Sequence, residues 1–451
     1  MQQDFGNETL DPVTEYHRLL AADEPAAREQ AAQLEDAFAA SGITFDGRPM
    51  RTLLRPLFVG APAWARLRED GRRLLELAAR VARRAFGGDA GRLCAFLGTP
   101  EAEARWVRLD PGGPDVVLSR LDAFLGPAGP RFIEVNSDAP AGFGYGDRMA
   151  ELFTQLPVFR ALARTRSLTY PASIPALVEA VLAATPAGAG PGVTVAIVDW
   201  AEVKTRADQE ILRDAFTARG VRCVLADPRS LELRAGRLLS GGRPVDVVYR
   251  RAVLSELVER EDEVRDFFRA YAEGAAVFVN SLRCRLSEDK AFLALLTDEA
   301  FAPLLTEEER ALVARTVPWT RKLEDRRTTK DGREVDLPGF VREERARLVL
   351  KPTHGYGGRD VRVGEETAPA VWEEAIRAST GGPWVVQERV AIPEEVFPTC
   401  EGGPLRFEAL KVNANPFYVA GGAAGAVARV SRQAVINVSA GGGSVPMFVV
   451  H

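Results

Sequence analysis

The sequence predicts a mixed α/β fold that combines a parallel layer with antiparallel sheet and helices. Three patterns support this prediction. Apolar residues recur at helical spacing from about residue 11 to 85, two alternating segments flank a Gly/Pro-rich turn at 126–130, and strand and helix patterns alternate from about 170 to 249. Strand–helix–strand alternation is typical of a parallel sheet, and the Gly/Pro turn is typical of an antiparallel hairpin.

Length and charge limit the class of protein. The chain has 451 residues, 46% of them hydrophobic, and a formal net charge of -5, which predicts a globular protein with two or three packed lobes. The sequence has no block of like charge that is long enough to indicate nucleic-acid binding, and no apolar run reaches membrane-spanning length. The first residues lack a signal-peptide pattern, so we expect a cytoplasmic protein that does not bind membranes. The oligomeric state is left open.

Residue usage also limits the chemistry. The four cysteines lie far apart in the sequence, and there are three histidines, so we expect neither a zinc site nor a Ser-His-Asp triad. Catalysis would have to rest on Asp, Glu, Asn, Arg, Lys and backbone amides. Six of the 58 basic residues are lysines, so a lysine marks a place where a compact ammonium group is wanted.

The first pattern in chain order is helical. Leu34, Leu67, Leu74 and Val81 belong to an apolar series with helical spacing, which Pro and Gly residues interrupt around 45–62. We expect these helices to pack on a core.

The second pattern is a hairpin formed by strand segments 116–122 and 131–136. If its turn is centred on Ala128, Asp122 faces Glu134 and Arg120 faces Asn136. Side chains alternate along a strand and opposite residues project to the same side, so these four polar groups share one face. Leu121, Ile133 and Val135 would then fill the other face.

This hairpin is a candidate metal site. Two carboxylates and an amide oxygen are ligands that Mg²⁺ takes when it also binds substrate phosphates, and Arg120 beside them could hold a phosphoryl group or an oxyanion. The segment that follows, from Ser137 and Asp138 to Gly146, is rich in glycine and aromatic residues, which suggests a substrate-binding wall. The alternative is an exposed sheet face with satisfied salt bridges.

The third pattern is the α/β layer. Strand segments are expected at 193–198, 221–225 and 245–249, and a helix at 210–218 lies between the first two. This order predicts parallel pairing with right-handed crossovers. No Gly-x-Gly-x-x-Gly follows the first strand, so we do not expect a dinucleotide site there.

Two strands in the last third of the chain carry further polar signals. Strand 347–351 ends in Lys351-Pro352 and leads into a loop with Gly355, Gly357 and Gly358. Glycines let backbone N–H groups close over phosphate oxygens, and a lysine at a strand end can reach them. This is not a Walker A loop, because no Gly-Lys-Ser/Thr follows, and an ordinary hairpin is the alternative.

The second of these strands covers 384–388 and ends in Gln387-Glu388. Such an end suits a hinge that reads adenine through its backbone while the glutamate accepts a hydrogen bond from a ribose hydroxyl. Taken alone this signal is weak, and an ordinary strand end is the better interpretation. Between these signals and the α/β layer, helices are expected at 256–272 and 290–296, and a polar hairpin at 322–335.

Taken together, these motifs resemble those of the circularly permuted ATP-grasp proteins that include glutathionylspermidine synthase and its relatives. The resemblance covers the synthetase part of that family, and the Cys-His pair of its amidase domain has no counterpart here. It rests on four motifs, which are Arg120-Leu121-Asp122, Ile133-Glu134-Val135-Asn136, Lys351-Pro352 with its glycine loop, and Val386-Gln387-Glu388-Arg389.

The resemblance implies roles for individual residues. It implies that Asp122, Glu134 and Asn136 bind Mg²⁺ and that Arg120 stabilises the transition state. ATP would be bound by a set of lysines, glycines and strand-end residues, namely Lys290, Lys351, Gly355, Gly357, Gly358, Gln387 and Glu388. The substrate would be bound by residues of two loops and one late arginine, namely Ser137, Asp138, Arg429, Gly441, Gly442 and Gly443. The family often has a glutamate where this chain has Gly357, which leaves the number of metal ions open.

The resemblance also implies a circularly permuted ATP-grasp fold in four segments. These are a helical region at 1–105, the metal-binding hairpin with its substrate loop at 106–168, a pre-ATP-grasp-like α/β domain at 169–282, and an ATP-binding lobe with the C-terminal core at 283–451. The implied activity is an ATP- and Mg²⁺-dependent ligation of a carboxylate to an amine through an acylphosphate, on a small molecule or peptide. An ATP-grasp small-molecule kinase and a non-catalytic nucleotide-binding protein are the alternatives.

Overall fold

The computed structural model describes residues 7–185, 192–355, 358, 360–436 and 442–451, with side chains from residue 12 onward. The α-helices of the described chain are α1 (Asn7–Ala21), α2 (Glu24–Ala40), α3 (Ala61–Phe86), α4 (Ala90–Leu97), α5 (Glu101–Val107), α6 (Phe143–Gln155), α7 (Pro157–Leu162), α8 (Ile174–Ala183), α9 (Arg206–Ala218), α10 (Leu254–Glu259), α11 (Arg265–Glu273), α12 (Arg285–Glu288), α13 (Ala294–Thr297), α14 (Glu307–Thr316), α15 (Leu337–Glu343) and α16 (Pro369–Ser379).

The strands begin in the N-terminal region and become frequent after residue 190. They are β1 (Thr44–Phe45), β2 (Arg48–Pro49), β3 (Leu57–Gly60), β4 (Leu118–Gly126), β5 (Gly129–Asn136), β6 (Leu168–Thr169), β7 (Thr194–Val198), β8 (Arg222–Ala226), β9 (Leu231–Arg234), β10 (Arg237–Ser240), β11 (Arg243–Pro244), β12 (Val247–Arg250), β13 (Val277–Val279), β14 (Thr320–Lys322), β15 (Arg327–Lys330), β16 (Arg333–Asp336), β17 (Leu348–Pro352), β18 (Arg362–Val363), β19 (Trp384–Glu388), β20 (Glu394–Thr399), β21 (Arg406–Val419), β22 (Gly422–Ser431) and β23 (Gly443–Val450).

The parallel layer is confirmed. Strands β13, β12, β7 and β8 lie in that order in one sheet, and every neighbouring pair is parallel. All five residues of β7 are buried, as expected for a strand that is covered on both faces. The predicted helix at 210–218 is the C-terminal part of α9, which connects β7 to β8.

The largest sheet is mainly antiparallel and joins distant parts of the chain. Its order is β3-β23-β22-β21-β4-β5, with β20 paired to β21 and β6 paired to β23. Only β3 and β23 pair in parallel among these strands. The sheet therefore takes strands from each end of the chain, and the boundaries at 105, 168 and 282 stay a prediction.

Helices cover the two faces of this sheet. On one face α3 approaches β21 so closely that a Cβ on Gly71 would lie 1.8 Å from the Tyr418 hydroxyl, which donates a hydrogen bond to the Leu67 carbonyl at 2.7 Å. On the other face Phe143 of α6 stacks on Phe417, with ring centroids 4.0 Å apart. Glycine at position 71 is therefore required by packing.

A smaller antiparallel sheet forms the second lobe. Its order is β14-β19-β17-β18, and its apolar side packs with α15 and α16 around Trp372, Leu350 and Val386, each at most 1% exposed. The predicted hairpin at 322–335 is present as β15 and β16. Side chains on the other side of β17 and β19 face the hairpin of β4 and β5.

That hairpin has the expected polar pairs, although its turn differs from the prediction. Asp122 lies opposite Glu134, and Arg120 lies opposite Asn136, so both predicted pairs are confirmed. The prediction of a turn centred on Ala128 is wrong, because Gly126 pairs with Gly129 across a two-residue connection. Gly129 has a φ of 109°, which glycine adopts without strain.

An extra residue in β5 reconciles this turn with the polar pairs. Ala123 pairs with Phe132 while Asp122 pairs with Glu134, which leaves Ile133 without a partner, as in a β-bulge. The expectation that Ile133 fills the apolar face is also wrong. Leu121 and Val135 are buried in the core, whereas Ile133 lines the cleft between the lobes.

A buried asparagine joins the parallel layer to the hairpin. Asn280, directly after β13, is 2% exposed. Its side-chain oxygen accepts hydrogen bonds from the backbone N–H groups of Val117 (2.7 Å) and Leu118 (2.9 Å). Its amide nitrogen donates to the carbonyls of Leu118 (2.6 Å) and Ser137 (2.7 Å). One side chain thus satisfies four backbone groups at the base of β4 and β5.

None of the helices in the described ranges is both long and apolar enough to cross a lipid bilayer.

We predict that Asn280→Ala lowers the free energy of unfolding by about 3–5 kcal/mol, because four buried backbone groups lose their partner. Urea denaturation followed by tryptophan fluorescence measures this loss. Gln33→Ala is the control, since Gln33 is exposed and donates a hydrogen bond to the exposed Glu29. A loss below about 1 kcal/mol for Asn280→Ala would contradict the proposed linking role of this side chain.

Candidate active site

A cleft lies between the β4–β5 hairpin, the smaller sheet and strands β21 and β22. One part of its wall is apolar and includes Phe124, Ile133, Val349, Val363 and Ile436. The other part gathers the polar groups that the sequence singled out, namely Arg120, Asp122, Glu134, Asn136, Lys290, Lys351, Gly355, Gly358, Gln387, Glu388 and Arg429. Residues that lie more than 300 positions apart in the sequence, such as Arg120 and Arg429, therefore meet in one cavity.

Asp122 lies at the centre of a charged cluster in this cleft and is 6% exposed. One carboxylate oxygen accepts from Arg120 Nε at 3.1 Å and from Asn136 Nδ2 at 3.2 Å. The other oxygen accepts from Arg429. Burial acts to raise the pKa of Asp122, but the charges of Arg429 and Arg120 outweigh it and lower the pKa below its ordinary value.

Glu134 is paired with a lysine that also holds the glycine-rich loop. Lys290 Nζ lies 3.3 Å from Glu134 Oε1 and donates a hydrogen bond to the Gly355 carbonyl at 2.8 Å. The backbone N–H of Lys290 donates to the Thr353 carbonyl at 3.2 Å. Lys290 therefore connects the start of the glycine loop to Glu134 of the hairpin.

Lys351 lines the same wall and is 7% exposed. Its ammonium group donates to the side-chain oxygen of Gln387 at 2.7 Å and to the Ile133 carbonyl at 3.4 Å. Burial lowers the pKa of Lys351 to about 8, with a smaller contribution from Lys290, while Glu134 opposes the shift. Such a poorly compensated ammonium group favours binding of an anion.

The cluster as a whole carries more positive than negative charge. Arg120, Arg429, Lys290 and Lys351 surround the two carboxylates of Asp122 and Glu134. The excess of cations in a partly enclosed cleft concentrates positive potential there. A polyphosphate or a carboxylate would match this potential.

The oxygen atoms of Asp122, Glu134 and Asn136 are candidates for holding Mg²⁺. In the part of the chain that the structure describes, no group of three or more His, Cys, Asp or Glu side chains could hold a metal ion. Two carboxylates and one amide are nevertheless a suitable hard-oxygen set when phosphates supply the remaining ligands. Both carboxylates are now bonded to cationic side chains, which a metal ion would have to displace or share.

At the strand end Gln387-Glu388, both side chains contact other residues of the protein. Gln387 is 3% exposed and, besides accepting from Lys351, donates to Thr320 Oγ1 at 3.0 Å. Glu388 pairs with Lys330 at 3.1 Å, and its backbone N–H donates to the Trp319 carbonyl at 2.8 Å. Both residues line the cleft, and Gln387 orients the Lys351 ammonium group.

The glycine-rich loop approaches the opposite wall of the cleft. A Cβ on Gly358 would lie 2.6 Å from Val435 Cγ1, and Gly358 has a φ of 71°. Both the close approach and the left-handed backbone require glycine at this position. Gly357 and Gly441, which the sequence also singled out, lie outside the described residues.

Ser137 and Asp138 are not placed on the cleft wall. Ser137 is fully buried and donates to the Cys284 carbonyl at 3.0 Å. Asp138 forms an ion pair with Arg250 at 2.5 Å and accepts from the Leu254 backbone N–H at 3.0 Å. These contacts fix the segment after β5 to the parallel layer.

The glycines at the start of β23 are packed against its neighbours. Gly442 is buried, and Gly443 pairs with Val430 of β22. A Cβ on Gly443 would lie 3.3 Å from Val430 Cγ2 and 3.4 Å from the Arg51 carbonyl. Neither glycine lines the cleft, so a role for them in substrate binding stays a prediction.

A comparison with protein families identifies the family of this chain. A family model described as circularly permuted ATP-grasp type 2 matches residues 109–431. The chain belongs to this ATP-grasp family. The matched region contains the hairpin, the parallel layer, the glycine loop and the strand that carries Arg429.

Two solved structures are similar to this chain to different degrees. A glutathione synthetase-like effector (GSS30) from Globodera pallida has a TM-score of 0.57 and 13% identity, with 95% of this chain and 98% of that chain covered. A putative gamma-glutamylcysteine synthetase from Methylobacillus flagellatus KT has a TM-score of 0.40 and 10% identity, covering 80% of this chain and 82% of that chain. No curated protein matches the sequence.

Sequence reasoning missed Asn413 of β21, which lines this ATP-grasp cleft, and Asn415 of the same strand, which supports the cleft residue Arg429. Asn415 is fully buried and accepts from Arg429 Nη2 at 3.0 Å. Its amide donates to Asn413 Oδ1 at 3.1 Å and to the Val427 carbonyl at 3.0 Å. The signal that could have identified them is the Asn-x-Asn alternation inside an apolar strand, because both amides must then face the same side.

We predict that Lys351→Met raises the thermal midpoint of the protein without nucleotide by about 2–4 °C, because the buried ammonium group is poorly compensated. The same variant should lose the stabilisation that Mg²⁺ and ATP give to the wild type. Thermal-shift measurements with and without Mg·ATP test both effects. Lys322→Met is the control, since Lys322 lies outside the cleft and pairs with Glu324. A Lys351→Met variant that still responds fully to Mg·ATP would show that this lysine does not bind phosphate.

Proposed function

We propose that this protein is an ATP- and Mg²⁺-dependent ligase that joins a carboxylate to an amine through an acylphosphate. The product would be an amide or peptide-like bond on a small molecule or a peptide. The observation that carries the proposal is the meeting of Arg120, Asp122, Glu134 and Asn136 with Lys290 and Lys351 in one cleft. A cytoplasmic location and the absence of nucleic-acid and membrane partners stay predictions.

The lysines provide the phosphate-binding side of the cleft. Lys351 is buried beneath the cleft surface and oriented by Gln387, and Lys290 is held between Glu134 and the Gly355 carbonyl. Two ammonium groups fixed in this way can neutralise adjacent phosphate groups of ATP without a further loss of side-chain freedom. Gly355 and Gly358 would let the loop backbone approach the phosphates.

Asp122, Glu134 and Asn136 would hold Mg²⁺. When bound, the ion neutralises phosphate charge and helps to orient the phosphoryl group for transfer. The side-chain oxygens of these residues come from paired strands of one hairpin, so the distance between them is set by backbone hydrogen bonds rather than by a flexible loop. Such rigid support is what a catalytic metal site requires.

Arg120 is the proposed catalytic residue. Its Nε is bonded to Asp122 at 3.1 Å and its Nη1 to the Ala141 carbonyl at 3.1 Å, which fixes the plane of the guanidinium group. It can therefore stabilise the negative charge that develops when the carboxylate attacks the γ-phosphate and again when the amine attacks the acylphosphate. No histidine or cysteine of the described chain lines the cleft, so positioning and charge neutralisation would supply most of the rate enhancement.

We predict that Arg120→Ala and Glu134→Gln each lower turnover at least about 100-fold, since each removes a charge that acts on the transferring phosphoryl group. The measurement is the release of ADP and phosphate with Mg·ATP across a panel of acids combined with amines, amino acids and small peptides. Arg72→Ala is the control, because Arg72 lies on α3 and pairs with Glu69 and Glu76 of the same helix.

Product analysis by mass spectrometry separates the alternatives. An amide product whose formation needs both acid and amine supports the ligase. A stable phosphorylated product that needs no amine would replace it with a kinase. Tight ATP binding without turnover across the panel would favour a non-catalytic nucleotide-binding protein, and undiminished turnover in Arg120→Ala and Glu134→Gln would contradict the proposed site.

A further inference from the structure

The pairing of Asp122 with Arg429 has a consequence for how a metal ion can enter the site. Asp122 is 6% exposed, and both of its oxygens are bonded to cationic or amide groups of the protein. A divalent cation that uses this carboxylate has to compete with a guanidinium group for the same oxygen atoms. The other contacts of each arginine decide which of the two can leave Asp122.

Arg120 is the less suitable one to move. It lies on the same strand as Asp122, two residues away, and its Nη1 is held by the Ala141 carbonyl at 3.1 Å. The carbonyl belongs to the segment that Asp208 fixes through the backbone N–H of Gly142 at 3.1 Å. Movement of Arg120 away from Asp122 would therefore also break its hydrogen bond to the Ala141 carbonyl.

Arg429 comes from a different strand and has another acceptor. Its Nη2 is bonded to Asp122 and also to Asn415 Oδ1 at 3.0 Å. Asn415 is immobilised by Asn413 and the Val427 carbonyl, so this acceptor stays in place when Asp122 takes another partner. Among the residues that the structure describes, the Nε of Arg429 is buried without a hydrogen-bond partner, which leaves one donor of this side chain available for an anion.

We propose that Arg429 is an internal counter-ion that competes with the divalent metal ion for Asp122. The metal ion displaces Arg429 from Asp122 only when an anion takes over the guanidinium group, and the polyphosphate of the nucleotide is that anion. This inference rests on the proposed function, because it concerns the same metal site. It predicts that the metal ion enters together with the nucleotide and not before it.

The charges of the cleft favour this order. Lys290 and Lys351 lie close to Glu134, so a metal ion that arrives alone meets the two lysines and both arginines. A polyphosphate that arrives with the metal ion brings enough negative charge to compensate all of them. Arg429 would then pass from a protein carboxylate to a substrate anion without remaining unpaired.

Mn²⁺ binding, measured by electron paramagnetic resonance without nucleotide, tests the competition directly. The wild type should bind Mn²⁺ weakly, and Arg429→Gln should bind it about tenfold more tightly, because the competing cation is removed while Asp122 stays. The double variant Arg429→Gln/Asp122→Asn should lose this gain. Arg389→Gln is the matched control, since Arg389 also lines the cleft but pairs with Glu365, and it should change Mn²⁺ affinity less than about twofold.

The outcomes separate this inference from the proposed function. If Arg429→Gln binds Mn²⁺ no more tightly than the wild type, or if the gain persists in the double variant, the competition does not exist. If Arg389→Gln gives the same gain, a general loss of positive charge explains the result and the inference is wrong. A wild type that is not stabilised by Mg²⁺ with a non-hydrolysable ATP analogue in a thermal-shift measurement would instead contradict the proposed function.

Discussion

The extra residue in β5 is the constraint on which the candidate site depends. At the turn, Gly126 pairs with Gly129, and if that register continued, Asp122 would face Ile133 and Arg120 would face Val135. Glu134 and Asn136 would then point to the core side of the sheet, where Leu121 is fully buried. The unpaired Ile133 shifts the register by one residue and turns both polar groups into the cleft. Such a bulge is a built feature of the strand rather than an irregularity.

The rest of the fold keeps this hairpin in place. Asn280 bonds the base of both strands, Arg250 and Asp208 hold the segment that follows β5, and α3 packs tightly on the neighbouring strand β21. The parallel layer therefore acts as a support for the site. At the carboxyl end of β12, the region where open α/β sheets commonly bind ligands, Arg250 pairs with Asp138 and Arg251 donates to the Pro140 carbonyl.

The sequence allowed the polar pairs and the parallel layer to be predicted because both follow from alternation along a strand and from strand–helix order. The bulge could not be predicted, since an Ile-Glu-Val-Asn sequence fits either register and only packing selects one. The burial of Ser137 and Asp138 was also out of reach, because their partners Cys284 and Arg250 lie more than 100 residues away. Long-range contacts of this kind leave no local signal in a single sequence.

A crystal structure of the protein with Mg²⁺ and a non-hydrolysable ATP analogue tests the central claim most directly. The account predicts a metal ion bonded to oxygens of Asp122, Glu134 and Asn136, with Lys290 and Lys351 on the phosphates and the Ile133 bulge retained. A nucleotide bound elsewhere, or a metal ion that contacts none of the three hairpin residues, would contradict it.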